Sequence, residues 1–141
     1  MITVQFMLEG SSEFTVPMPE LPRTGEIVAV EDTVYQITNV CWEIHDGQCF
    51  GALVIGEYSS FSLAHMPYQN YLSSRHWRRV REAALVRAAY SCQLCNTQQA
   101  TLDVHHRTYE RRGCELPKDL IVLCRACHTK FHRDARIHTK A

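Results

Sequence analysis

Apolar and polar positions partly alternate in short runs over the first 58 residues. The five runs are separated by turn-forming residues and read ITVQFML, EFTVPM, GEIVAV, TVYQITNVCWEI and FGALVIGEY. Alternation with a period of two is typical of β-strands that bury one face. Five short strands joined by tight turns predict a small antiparallel β-barrel or sandwich over residues 1–57.

The pattern changes twice after this β module. Residues 58–71, YSSFSLAHMPYQNY, have no clear periodicity and are interpreted as a linker. A helix is then predicted to begin near Ser73 or Ser74, because either residue can cap it and an apolar stripe with helical spacing follows. That stripe consists of Trp77, Val80, Ala84, Leu85 and Ala88. We therefore expect an α+β protein whose second domain covers residues 72–141.

Two further strands and a helix are expected inside the second domain. TLDVHHRTY and LIVL have the composition of strands, and ERRGCELPKD between them forms a loop. A helix is predicted from about Arg125 to Arg136. No apolar run is long enough to span a membrane, so a membrane partner is not expected.

Charge is distributed unevenly although the formal net charge is +0. Residues 1–70 contain one Lys/Arg against nine Asp/Glu, whereas residues 71–141 contain fourteen against six. The basic half can attract a polyanion such as DNA, and the acidic half should repel it. We expect the acidic β module to serve a different partner, for example a protein.

Two Cys-x-x-Cys pairs, Cys92/Cys95 and Cys124/Cys127, offer four thiolates. Four cysteines in two such pairs are typical of a closed, tetrahedral structural Zn²⁺ site. A disulfide framework is the alternative, but the seven cysteines are an odd number and no signal peptide precedes them. We therefore expect a zinc-stabilised domain in a reducing, cytoplasmic compartment.

Histidines accompany the cysteines. His128 and His132 are four residues apart, so they lie on one face of the predicted helix and can bind one ion together. A doublet, His105/His106, lies between the two cysteine pairs. Such a set suits a hydrolytic metal site with a histidine base. The alternatives are that one helix histidine replaces a cysteine as a zinc ligand, or that both are surface residues.

The run VHH, followed by DLIVLC and RACHTKFH, resembles the HNH endonuclease motif, also called the ββα-metal finger, in the subtype with a two-CxxC zinc knot. The preceding YLSSRHWRRVREAALVRAAYSCQLC is similar to the lead-in helix of phage and mobile-element HNH proteins. The resemblance covers residues 71–132. It implies a ββα-metal nuclease fold for the second domain.

The resemblance also implies a role for each matching residue. His106 matches the general base, and His105, His128 and His132 match the ligands of a catalytic ion, which would be Mg²⁺, Mn²⁺, Ni²⁺ or Zn²⁺. Asp119 stands where the family usually has asparagine, and a carboxylate there can orient the loop or bind the ion.

The function expected from this resemblance is metal-dependent hydrolysis of DNA that leaves 5′-phosphate and 3′-hydroxyl ends. Three arginines near the doublet are expected to bind flanking phosphates without reading sequence, namely Arg107, Arg111 and Arg112. The alternative is a non-catalytic zinc module that binds nucleic acid or protein, such as a phage packaging accessory.

Overall fold

The protein's computed structural model describes the backbone of residues 1–138, and the side chains of these residues except at positions 45, 49, 50 and 134–138. The chain divides into two compact units, Met1–His76 and Trp77–Ala141. The predicted second domain extends to residue 141, and residues 139–141 lie outside the described part. Both helices and strands are present, so the mixed α+β class is confirmed.

Five strands form the first unit's sheet. They are β1 (Ile2–Leu8), β2 (Phe14–Met18), β3 (Ile27–Val30), β4 (Thr33–His45) and β5 (Gln48–Tyr58). All five lie where the alternating runs predict them. Along β1, Val4, Phe6 and Leu8 are buried while the residues between them are exposed, because successive side chains of a strand point to opposite faces. These side chains form a core with Tyr35, Ile37 and Val54.

The prediction of an antiparallel barrel or sandwich is wrong in its topology. Strands β1 to β5 form one curled sheet in the order β2-β1-β5-β4-β3, with β2 and β3 at its edges. β1 and β5 pair in parallel, whereas the other neighbours are antiparallel. The three strands β3, β4 and β5 form a meander that brings β5 back beside β1 in the same direction. Alternation along a single strand does not encode which strand becomes its neighbour.

Residues 58–71, interpreted from the sequence as a linker, contain regular structure. Two short helices, α1 (Ser60–His65) and α2 (Tyr68–Ser73), lie in and just beyond this segment. Ser59 caps α1, since its side chain accepts a hydrogen bond from the backbone N–H of Ser62 at 3.2 Å. Helices of six residues are too short to show a periodic apolar stripe.

The second unit contains most of helix α3 (Arg75–Arg87), followed by strands β6 (Leu102–His106) and β7 (Leu120–Cys124) and helix α4 (Arg125–His138). A short 3₁₀ helix, Pro117–Asp119, precedes β7. The predicted stripe is confirmed in part: Trp77, Ala84 and Leu85 of α3 are buried, Val80 is partly buried, and the partly buried Ala88 lies just beyond the end of α3.

Strands β6 and β7 pair antiparallel from Leu102 opposite Cys124 to His106 opposite Leu120. Every residue of β7 is buried. Around this pair of strands a small core joins apolar side chains to cysteines: Cys92, Ile121, Leu123 and Cys124, with Leu102, Cys127 and Phe131 against them. Sulfur atoms thus occupy a large share of this core.

Candidate functional site

Four cysteines converge in the second unit as the two Cys-x-x-Cys pairs predict. The Sγ atoms of Cys92, Cys95, Cys124 and Cys127 all lie within 4.8 Å of one another. The Sγ atoms of Cys95 and Cys124 are 3.7 Å apart. Two sulfurs bound tetrahedrally to zinc at ~2.3 Å lie roughly 3.8 Å apart, so this spacing suits zinc. These cysteines can therefore hold a structural metal ion such as Zn²⁺.

The pKa values of two of these cysteines also favour a bound cation. Burial acts to raise the pKa of the Cys92 thiol, but hydrogen bonds from the backbone at Cys124, Cys95 and Leu94 outweigh burial and lower the pKa to about 6. The hydrogen bond to Cys124, followed by burial, raises the pKa of Cys127 to about 12. The thiolate is therefore favoured at Cys92, and Cys127 is kept protonated. Four thiolates together therefore call for a cation, because like charges at this distance repel.

Three histidines form a second cluster. Nδ1 of His105 lies 3.2 Å from Nε2 of His128, and Nε2 of His132 lies 3.0 Å from the same His128 atom. The three ring nitrogens fall within 4.8 Å of one another. Two nitrogens bound tetrahedrally to an ion at ~2.0–2.1 Å would be roughly 3.3 Å apart. The cluster therefore has the donor atoms and the spacing for one metal ion.

A strand and a helix position this cluster. His128 and His132 are one turn apart on α4, and this spacing places both rings on one helix face. His105 comes from β6, and its ring contacts both of the others, with centroids 5.0 Å from His128 and 4.6 Å from His132. The helix pair was predictable from spacing. The approach of His105 depends on how α4 packs against the strands.

Asp103 supports the histidine cluster, and the sequence analysis did not identify it. Nδ1 of His128 is 3.0 Å from Oδ2 of Asp103, and Oδ1 of the same carboxylate is 3.7 Å from Arg125. Because a carboxylate accepts the proton on Nδ1, the lone pair of His128 lies on Nε2, the atom that faces the other two imidazoles. The sequence contained a signal that could have identified Asp103. Asp103 and His105 are two residues apart in β6 and therefore share a face.

Burial, with further contributions from His132, His128 and His106, lowers the pKa of His105 to about 4. His105 is therefore neutral near pH 7. A neutral imidazole is the form that binds a metal ion.

His106 has different surroundings, although it follows His105 directly. Its side chain is fully buried, its Nε2 is 3.2 Å from Oε1 of Glu115, and its ring stacks on Trp77 and Tyr109 at centroid distances of 4.9 and 5.0 Å. The β6–β7 pairing continues through His106, so the two histidines of the doublet point to opposite faces of the strand. Among the described side chains, the ligand cluster contains His105 and not His106.

Glu115 is the second functional candidate that the sequence analysis missed. Its side chain is almost fully buried, and the backbone N–H of Gly113 donates to its Oε1 at 3.0 Å. Gly113 has φ 93°, a left-handed conformation that favours glycine. No local pattern in ERRGCELPKD distinguishes Glu115 from an exposed loop carboxylate, so only the fold reveals its contact with His106.

Asp119 orients the loop before β7, one of the two roles considered from the sequence. Its carboxylate forms a two-point contact with the guanidinium of Arg111 and accepts the backbone N–H of Leu116 at 2.8 Å. Its backbone carbonyl accepts the N–H of Arg107 at 2.7 Å. The ion pair with Arg111, together with the Leu116 hydrogen bond, outweighs burial and lowers the pKa of Asp119 to about 2. Its oxygens are not among the converging ligand atoms of the described residues.

The three predicted phosphate-binding arginines lie in different environments. Arg107 is exposed, and Arg111 and Arg112 are partly buried. The guanidinium of Arg111 is held by Asp119, so much of its charge is already balanced. Arg107 is the arginine of this set that is most accessible to a ligand.

Comparison of the chain with protein-family models, with curated proteins and with solved structures finds no match in any of the three. Across the described residues, no helix has both the length and the hydropathy to cross a bilayer. The two clusters of metal-binding side chains are therefore the features that bear on function.

Proposed function

We propose that the protein is a metal-dependent DNA endonuclease of the HNH type that hydrolyses phosphodiester bonds and leaves 5′-phosphate and 3′-hydroxyl ends. The observation that carries this proposal is the convergence of three imidazole nitrogens, from His105, His128 and His132, at a place served by none of the four cysteines. A chain that needed metal only for stability would have no use for this second set of ligands.

The two ligand sets suit different tasks. Four cysteines complete the coordination of a structural zinc ion, whereas three histidines leave positions for water and substrate. A divalent ion bound by the histidines, whether Mg²⁺, Mn²⁺, Ni²⁺ or Zn²⁺, would stabilise negative charge on the phosphate and on the leaving oxygen. Asp103 holds the ring of His128 so that Nε2 keeps its lone pair toward the cluster.

His106 is our candidate for the general base that takes a proton from the attacking water. Glu115 lies against Nε2 and favours the tautomer whose proton is on that atom, which leaves the lone pair on Nδ1. The side chain is fully buried, so water reaches it only after a neighbouring side chain moves. Tyr109 stacks on His106 and is itself 54% exposed.

The charge of residues 71–141 supports a polyanionic substrate. Residues 71–141 contain fourteen Lys/Arg and six Asp/Glu. A net positive charge of this size attracts DNA at long range and weakens as salt rises. Arg107 is exposed next to the doublet and would contact a flanking phosphate.

The experiment is a cleavage assay with supercoiled plasmid and the zinc-loaded protein, with each divalent ion added in turn. We expect nicked or linear DNA with at least one ion, products that DNA ligase rejoins, and loss of cleavage in His128→Ala. His65→Ala is the matched control, because His65 is an exposed histidine of α1 in the other unit. A protein that binds plasmid but cuts with none of the ions would be the non-catalytic zinc module.

A further inference from the structure

We propose that helix α4 carries a phosphate-binding stripe beside its metal-binding histidines, and that Arg125 and Arg133 of this stripe bind the phosphates on either side of the one that is cut. This inference rests on the proposed nuclease function, because it specifies how the substrate strand lies at that site. Neither arginine belongs to the set that was expected near the histidine doublet.

The helical repeat sorts these side chains into two neighbouring stripes. Residues four apart in an α-helix lie one above the other on the same face. His128 and His132 therefore form one stripe of α4, and Arg125, Thr129 and Arg133 form another, which we call the arginine stripe. Arg125 is three residues before His128, a spacing that makes two helical residues neighbours.

The two arginines bracket the histidines along the helix axis. Arg125 precedes His128 by three residues, and Arg133 follows His132 directly. At a rise of ~1.5 Å per residue, the Cα atoms of Arg125 and Arg133 are ~12 Å apart along the axis. A strand that runs along α4 with one phosphate at the histidine cluster therefore passes one arginine before that phosphate and the other after it.

Both arginines are accessible to a ligand. Arg125 and Arg133 are exposed, and the side chain of Arg125 is 75% exposed. The guanidinium of Arg125 is 3.7 Å from Oδ1 of Asp103, a distance longer than a hydrogen bond. Oδ2 of the same carboxylate is 3.0 Å from Nδ1 of His128. Asp103 thus attracts Arg125 toward the histidine cluster and leaves its N–H donors available to a phosphate.

Contacts of this kind position a strand without reading its bases. A guanidinium keeps its charge at any pH near neutrality and matches the geometry of a phosphate with two parallel N–H groups. The hydroxyl of Thr129 donates to the carbonyl of Arg125 at 3.0 Å, so this short side chain between the arginines is turned back onto the helix. Because every sequence has the same phosphates, binding through the arginine stripe should be independent of sequence and should weaken as salt rises.

The test measures binding of a labelled DNA duplex to the full-length, zinc-loaded protein over a range of salt concentrations, with no other divalent ion. Arg125→Gln and Arg133→Gln should each weaken binding roughly 10- to 100-fold, the range for loss of a hydrogen bond to a charged group. Each should also reduce the slope of log K against log salt by ~0.9, the share of one phosphate contact. A duplex of unrelated sequence should show the same losses.

Lys130→Gln is the matched control. Lys130 is an exposed cation of α4, and its position two residues from each histidine places it on the opposite side of the helix. The affinity of this variant should change less than about twofold, because salt screens a distant charge. Zinc content and melting temperature check that each variant folds. An equal loss in Lys130→Gln would mean that only net charge matters and would overturn the proposal, as would unchanged salt slopes in the two arginine variants.

A second measurement tests where each arginine binds. A methylphosphonate has no charge, so one such group in a cleavable duplex removes the charge of a single phosphate. The wild type should cut less at the phosphates on both sides of it. Arg125→Gln should lose this sensitivity on one side, and Arg133→Gln should lose it on the other. Variants that remain as sensitive as the wild type on both sides would contradict the proposal.

The two proposals can fail separately. Binding that depends on Arg125 and Arg133, in a protein that cuts DNA with none of the ions, would contradict the nuclease and leave α4 as a phosphate-binding surface. Plasmid cleavage by a protein whose DNA binding is unchanged in both variants would contradict the arginine stripe alone.

Discussion

His105 and His106 are consecutive residues of β6, yet only His105 contacts the metal-ligand cluster, while His106 is buried against Glu115. The contrast follows from strand geometry, because neighbouring side chains point to opposite faces. It separates the doublet into a candidate ligand and a candidate base, and each can be tested by itself.

Substitution of His106 by glutamine should lower the cleavage rate ~10²–10⁴-fold, the usual contribution of a general base. Zinc content and DNA binding should remain, because the cysteines and Arg107 are untouched. Some loss of thermal stability is also expected, since the ring is buried between stacked neighbours. The rate is measured well below the melting temperature. Wild-type activity there would mean that His106 is a core residue only.

The two metal sites should separate by mutation. Cys92→Ser should release the tightly bound zinc and unfold the second unit, because Cys92 belongs to its small core. His128→Ala should keep that zinc and the fold but abolish cleavage. Mass spectrometry measures the zinc content of each variant, and a melting curve shows whether it is folded. Zinc loss from His128→Ala would show that the two clusters serve one ion.

Removal of zinc by a strong chelator should unfold the second unit and leave the first unit folded. Apparent zinc-binding energies of roughly 10–16 kcal/mol in zinc fingers are as large as the whole stability of a small domain. Each unit contains one tryptophan. Trp77 in the second unit is 6% exposed, and Trp42 in the first unit is 55% exposed.

The variants Trp42→Phe and Trp77→Phe therefore report on one unit each. In Trp42→Phe, chelation should shift the emission of Trp77 to the red as the ring enters water. In Trp77→Phe, the emission of Trp42 should stay unchanged. A red shift confined to Trp42 would contradict the expectation.

Asp103→Ala should weaken binding of the histidine-held ion ~10–100-fold, the usual effect of losing a carboxylate behind a metal-bound imidazole. Asp103→Asn should weaken binding of this ion less than Asp103→Ala does, because an amide oxygen can still accept the Nδ1 proton of His128. Calorimetric titration of zinc-loaded protein with Mn²⁺ or Ni²⁺ measures the affinity. Glu110→Ala, at a carboxylate that is 80% exposed in the same unit, should bind these ions like the wild type.

Asp119 should contribute stability that disappears in acid. Its pKa is lowered to about 2 in the folded protein from a usual 3.8, so its contribution is complete above about pH 4 and is lost as the pH falls toward 2. The stability difference between wild type and Asp119→Asn should therefore shrink over that range. Denaturant unfolding of both proteins at several pH values measures their free energies of unfolding. A difference between the two that grows in acid would contradict a stabilising role for the Asp119 carboxylate.

The sequence by itself determined the five strands of the first unit, helix α3 and the four-cysteine cluster. Alternation placed β1 to β5, and the stripe from Trp77 to Leu85 placed α3, because burial of one face imposes a period on each element. The two Cys-x-x-Cys pairs predicted the four-cysteine cluster for a similar local reason. A two-residue gap within each pair already brings its sulfurs together.

Only the tertiary structure decided which elements meet. The parallel pairing of β1 with β5 joins residues about fifty positions apart, and no local pattern specifies it. The same holds for Glu115 beneath His106 and for Asp103 behind His128. Their roles depend on distances set by packing between a strand, a loop and a helix. Chain order leaves such distances open, because side chains far apart in sequence meet only when the elements that carry them bury their apolar faces together.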